Sequence, residues 1–318
     1  MMSLTDKHNV YTVQYPTAVD FIDKQMAAFW TPHEVRADKD VHCILTELTE
    51  AEKHGIITTL KLFTQYELIV GDEYWGKLQE VFKKPACVSR MCNLFSMIEI
   101  NIHAEFYQKI NEALGLATDT FYTSYVNDPQ LKARIDMLES YAQEVTPEFL
   151  IVLALTEGAV LYSSFAFIKH FQSNGKNKLV NICRGINYSA RDETIHSEAS
   201  AWLFRTWLEE RGETIEQYEE TIKHLAEVVR EHEYNIVDKL FEKGTVEGIT
   251  DVQLKHFVDS RINLVSRNLG YKNIYTVKYN PIQTWFENGV NNYQFNDFFS
   301  GQGREYKRDW EETGFSWE

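Results

Sequence analysis

The sequence predicts an all-α fold, one helical domain over residues 1–276 followed by a C-terminal tail over 277–318. Three observations predict it. Only 15 of 318 residues are Gly and 6 are Pro, while Glu, Lys, Leu and Ala are plentiful, which favours long helices over strands. Apolar residues recur at helical spacing along most of the chain. The stretch "FLIVLALTEGAVLYSSFAFI" (149–168) is almost wholly apolar, as a helix inside a large helical protein must be.

The elements follow in order. Residues 17–30, containing "AVDFIDKQMAAFW", read as an amphipathic helix, and Thr31-Pro32 starts another, because Pro fits the first helical turn. A helix is expected over 50–75, with Thr49 as its N-cap. Pro85 breaks the chain. The stretch "CVSRMCNLFSMIEINIHAEFYQKINEAL" predicts a helix ending at Gly115, and 127–145 a polar one. The buried helix spans 147–172 and stops at the turn signal "SNGKNK". Helix 178–210 carries "RDETIHSE", an amphipathic helix ends at Gly244, and a last one covers 251–268. From about 277 the periodicity fades.

Composition excludes several classes. A hydrophobic content of 44% supports one large core. The net charge of −15 argues against a nucleic-acid groove, which needs a basic surface. Cys43, Cys87, Cys92 and Cys183 form no C-x-x-C pair, so the chain reads as a reduced, cytoplasmic protein. Its first residues lack an apolar signal core, and no export signal is expected. The apolar stretch 149–168 is long enough to span a bilayer. Glu157 near its centre, and the lack of a second such stretch, favour a buried helix and no membrane.

A carboxylate in that helix needs a partner, because an unpaired buried charge is costly. The sequence supplies one through a weak repeat. A helix with a central Glu precedes a helix carrying Glu and His, first as Glu67 with Glu99 and His103, then as Glu157 with Glu193 and His196. The Glu-to-Glu separations are 32 and 36 residues. Two such helix pairs aim four carboxylates and two imidazoles at one point, the ligand count of a di-iron or di-manganese site in a four-helix bundle. Oxygen and imidazole donors suit iron or manganese, whereas thiolates suit zinc or copper(I).

The motifs "DKQMAAFW-TPHEV", "IHAEFY" and "RDETIH" resemble the small, radical-generating subunit of class I ribonucleotide reductase, over most of the chain from about Tyr15. The resemblance implies a ferritin-like four-helix core with extra helices, a homodimer, and a centre of two Fe, with two Mn or Mn/Fe as alternatives. It implies metal ligands Glu67, Glu99, His103, Glu157, Glu193 and His196, with Asp72 as rival to Glu67 and Glu105 as substitute for Glu99. One departure stands out. The family spacing is E-x-x-H, but Glu99 stands four before His103, which a local helical bulge would absorb.

Tyr107, one turn after His103, matches the tyrosyl-radical position, although some members keep the oxidising equivalent on the metals. Trp30 and Asp192 match a hydrogen-bonded pair used in long-range electron transfer, and Leu161 and Phe165 would shield the radical. Tyr293, with Tyr306 as alternative, matches a redox tyrosine of the tail. Phe315 and Trp317 would anchor that tail on the large, catalytic subunit. The implied activity is support of ribonucleoside-diphosphate reduction. A different di-metal oxidase or hydroxylase would need neither Tyr107 nor the aromatic tail, and an iron store would need no Trp30–Asp192 link.

Overall fold

Helix starts fall where a side chain closes the first turn. Thr49, Asp128, Thr146 and Thr250 each accept a backbone N–H from the helix that follows, which satisfies donors that a helix start leaves open. The structure, a computed structural model, describes Leu4, residues 12–82 and residues 85–299, with the side chains of Thr64 and of 291–299 left undescribed.

The chain opens with α1 (Pro16–Ala27), α2 (Pro32–Val35) and α3 (Val41–Thr46). Then come α4 (Glu50–Ile69) and α5 (Lys77–Val81), joined by a π-helical turn, Val70–Gly76. A second π turn, Glu99–His103, joins α6 (Ala86–Ile98) to α7 (Ala104–Ala113). After α8 (Asp119–Thr123) and α9 (Pro129–Tyr141), a third, Thr156–Val160, joins α10 (Pro147–Leu155) to α11 (Tyr162–Lys169). Beyond lie α12 (Val180–Arg211), α13 (Glu219–Leu240), α14 (Asp251–Asn268) and α15 (Pro281–Phe299). No strand occurs among the described residues. The all-α expectation holds.

The core is a bundle of four long segments. In it α4 packs on α7, α10 and α11 pack on α12, and α11 reaches back to α4. The helix α12, 32 residues long and unbroken, also meets α1, α14 and α15. Gly185 permits one close approach, since a Cβ there would lie 2.3 Å from the Phe106 ring. Pro147–Gln172 is apolar and long enough to cross a membrane, yet its apolar window is 100% buried in the protein. That is the buried-helix arrangement expected.

Two boundaries differ from expectation. The helix α1 ends at Ala27, so Trp30 sits on a connector, fully buried. The segment after 277 is not wholly a tail. It forms α15, whose Ile282 and Phe286 are buried. Phe286 packs on Phe257 at 5.0 Å and Tyr162 at 5.6 Å between ring centroids. Ile282, Trp285, Phe286 and Val290 recur there at helical spacing, a signal that the surrounding Asn, Gln and Gly outweigh in the sequence alone. Tyr293 lies on α15 with its side chain outside the described residues, and Tyr306, Phe315 and Trp317 lie outside them altogether.

Candidate metal centre

Glu67 comes from α4, Glu99 and His103 from the second π turn, Glu157 from the third, and Glu193 and His196 from α12. All six side chains converge, and each residue is at most 1% exposed. Their donor atoms form two overlapping quartets, each with every donor within 4.8 Å of the others. One is Glu67, Glu99, His103 and Glu193; the other is Glu99, Glu157, Glu193 and His196. Glu99 and Glu193 belong to both.

The sharing is seen atom by atom. His103 Nδ1 lies 2.9 Å from Glu99 Oε2 and 3.1 Å from Glu193 Oε1. His196 Nδ1 lies 2.5 Å from Glu99 Oε1 and 3.5 Å from Glu193 Oε2. Each shared carboxylate thus turns one oxygen to each imidazole. Glu67 stands on the His103 side at 3.8 Å, and Glu157 on the His196 side at 3.7 Å. Such an arrangement has two cation positions with two carboxylates between them.

The four-residue spacing of Glu99 and His103 is accommodated by the π turn that contains both. A π turn takes an extra residue into one turn of helix, so both side chains face the cluster. Asp72 is exposed and belongs to neither quartet. Glu105 also stands outside, paired with Lys109 at 2.9 Å.

The electrostatics call for cations. Burial pushes the Glu67 and Glu157 carboxyls well above the usual range. Burial opposes the charge on Glu99 too, but His103 and His196 beside it hold that carboxyl below the usual range. Burial disfavours both imidazolium ions, yet Glu99 raises both, His196 to about 9. Oε1 of Glu67, both oxygens of Glu193 and the cluster-facing Nδ1 of His196 make no well-aligned hydrogen bond. Buried polar atoms without hydrogen-bond partners demand an explanation. Two divalent cations would match four carboxylates in charge and engage these atoms, and the oxygen-and-imidazole donor set fits iron or manganese.

Outer contacts orient the cluster. Trp30 donates its indole N–H to Asp192 Oδ2 at 2.7 Å, and the same oxygen lies 3.2 Å from His103 Nε2. Asp192 thereby orients the His103 ring through Nε2, which leaves Nδ1 as the nitrogen facing the cluster. Trp75 donates to Glu157 Oε1 at 2.6 Å. Sequence reading missed Trp75; its only signal is a place two turns after Glu67 on the same helix face.

Tyr107 is fully buried, and its hydroxyl donates to Ser189 Oγ at 3.4 Å. Burial, with Glu67 nearby, holds the phenol pKa well above its ordinary value. Phe63 packs 4.4 Å from the Tyr107 ring and 5.4 Å from Phe165, while Leu161 is buried. Neither Phe63 nor Ser189 was singled out from sequence, because an apolar and a small polar residue on core helices carry no chemical signature.

Fold and site together define a helical-bundle protein whose buried carboxylate–histidine group fits two metal ions. The family model described as ribonucleotide reductase, small chain, matches residues 7–281, and the chain belongs to that family. It is 25% identical over 328 residues to the "Probable ribonucleoside-diphosphate reductase small subunit 048L" of Invertebrate iridescent virus 3, covering 96% of this chain and 85% of the relative. It is 25% identical over 321 residues to the ribonucleoside-diphosphate reductase subunit beta of Chlamydia pneumoniae, covering 91% and 90%. The fold matches the dimanganese(II)-NrdF of Streptococcus sanguinis with a TM-score of 0.75 and 19% identity, over 90% of this chain and 99% of that one.

Proposed function

We propose that the chain is the small subunit of a class I ribonucleoside-diphosphate reductase, in which a di-metal centre generates the oxidising equivalent used by a large subunit. Family membership supports the subunit role. The sharing of Glu99 and Glu193 between two donor quartets is the observation that carries the di-metal reading.

Two iron ions, two manganese ions or a mixed pair, when bound, supply oxidation by way of dioxygen or a reduced oxygen species. The chain's own residues do the rest. Glu99 and Glu193 hold the two positions together, with Glu67 and His103 completing one and Glu157 and His196 the other. Tyr107, walled by Phe63 and Phe106, is the residue to be oxidised. Its protonated phenol must lose a proton as it loses an electron, and the hydroxyl already points at Ser189. Trp30 and Asp192 extend a hydrogen-bonded chain from His103, the start of a transfer route in which Tyr293 is the later member.

Residues beyond α15, with Phe315 and Trp317, dock on the large subunit, and the working small subunit is a homodimer. The cytoplasm suits Cys43, Cys87, Cys92 and Cys183, all of them free thiols. Turnover of a ribonucleoside diphosphate by metal-loaded chain plus large subunit tests the reading. Removing 300–318 should abolish turnover and leave the metal content unchanged. Full turnover by the shortened chain would refute the docking role.

A further inference from the structure

The third π turn carries Glu157, and a π turn disturbs the regular pairing of backbone carbonyls along a helix. Here four carbonyls in and just before the turn accept hydrogen bonds from side chains of other helices. Ser197 Oγ on α12 donates to Ala154 O at 2.8 Å. The Tyr66 hydroxyl on α4 donates to Thr156 O at 3.4 Å. Arg261 Nε on α14 donates to Gly158 O at 2.9 Å. Arg134 Nη2 on α9 donates to Val160 O. Four helices therefore grip alternate carbonyls of one short stretch, and two of those carbonyls flank Glu157.

Each cationic arm is itself fixed. Arg134 pairs with Glu233 at 3.0 Å, both fully buried, and Glu233 also accepts the Ser163 hydroxyl at 2.6 Å. Arg261 lies over the Tyr162 ring, 3.7 Å from its centroid. The Tyr162 hydroxyl bonds Ala190 O at 3.1 Å and Thr194 Oγ1 at 3.0 Å, on the stretch of α12 that bears Glu193. Gly158 leaves no slack, because a Cβ there would lie 2.3 Å from Val265 and 2.4 Å from Ser197. A buried ion pair is poor evidence for stability, since desolvation offsets much of its attraction. Its cost is accounted for by what it holds in place.

We propose that Arg261, Arg134 and Tyr66 are positioning residues that lock the π turn and so aim Glu157 at the metal position it shares with His196. The proposal rests on Glu157 being a ligand, as argued above. Tyr66 adjoins Glu67 on α4, whereas Arg261 on α14 and Arg134 on α9 lie on elements that carry no ligand, so the grip can be loosened at Arg261 apart from the Glu67 and His103 side. The effect of loosening it is therefore selective for one of the two metal positions, which a merely structural role would not produce.

The test is a Mn(II) titration of the full-length chain followed by EPR, for wild type, Arg261→Gln and Arg261→Lys, with thermal unfolding in parallel. Wild type should take up two ions as an exchange-coupled pair. Arg261→Gln should bind one ion with wild-type affinity, seen as an isolated Mn(II) signal, and the second about 10-fold or more weakly. Arg261→Lys, which keeps a cation on a long stem, should recover part of the coupled signal. A coupled pair at wild-type affinity in Arg261→Gln would overturn the proposal. So would equal weakening of both ions in both variants. A wild-type chain that binds fewer than two ions would overturn the ligand reading beneath it instead.

Discussion

Trp75 donates its indole N–H to Glu157 Oε1 at 2.6 Å, across 82 residues of sequence. Oε1 is also the Glu157 oxygen that lies 3.7 Å from His196 Nδ1, so Trp75 orients the carboxylate at the atom that faces the cluster. Trp75→Phe keeps the aromatic packing on Phe95 and removes the donor. It should weaken the metal on the His196 side on the order of 10-fold, as measured by competition with a chelating dye. Unaltered affinity at both positions would show that the bond does not orient the ligand.

Metal binding should release protons. The metal-free cluster holds Glu67 and Glu157 well above the usual carboxylate range and His196 at about 9. Ligation needs ionised carboxylates and bare imidazole nitrogens, so protons leave as ions enter, and affinity rises with pH while these groups titrate, His196 at about 9. Calorimetry at pH 7 in two buffers of different ionisation enthalpy reads the number released. A value of zero would contradict the account.

Lys169 is buried on α11, its Nζ donating to Phe286 O at 3.0 Å and lying 3.8 Å from the Phe286 ring centroid. Burial lowers its pKa from 10.5 to about 7. The unfolded chain then binds more protons than the native one between those two values, so this group's penalty is full below 7 and relieved as pH rises to 10.5. Lys169→Met should gain most stability over wild type below pH 7. That gain should shrink by up to about 1.4 kcal/mol per pH unit above it. Denaturant melts at pH 6.5 and 9.5 check the sign, and an equal difference at both would refute it.

Tyr107→Phe should leave the metal content intact and abolish any tyrosyl signal. The check is EPR after anaerobic Fe(II) loading and exposure to air. A tyrosyl signal that survives the substitution would place the radical elsewhere. No signal in wild type would move the oxidising equivalent to the metals.

Much of this was legible in the sequence because helical period and ligand chemistry are local or regularly repeated. The Glu67/Glu99/His103 and Glu157/Glu193/His196 repeat pointed to the same six side chains that the bundle brings together. The Glu99–His103 spacing, one longer than the family's E-x-x-H, was the one visible trace of a π turn; the turns at Val70–Gly76 and Thr156–Val160 left none, since neither contains a ligand pair of known spacing. Trp75, Arg134 and Arg261 were hidden for a different reason. Their roles come from contacts across 82, 26 and 103 residues, and a tryptophan or arginine on an amphipathic helix reads as ordinary packing or surface charge. The helix α15 was legible in Ile282, Trp285, Phe286 and Val290 at helical spacing, but the polar residues around them favoured a tail reading.

The central claim is that two metal ions lie between His103 and His196 and share Glu99 and Glu193. Anomalous diffraction from crystals of the manganese- or iron-loaded chain measures this directly. Two peaks per chain are expected, one bound by Glu67 and His103, the other by Glu157 and His196, with Glu99 and Glu193 reaching both. A single peak, or two peaks without a shared carboxylate, would contradict it.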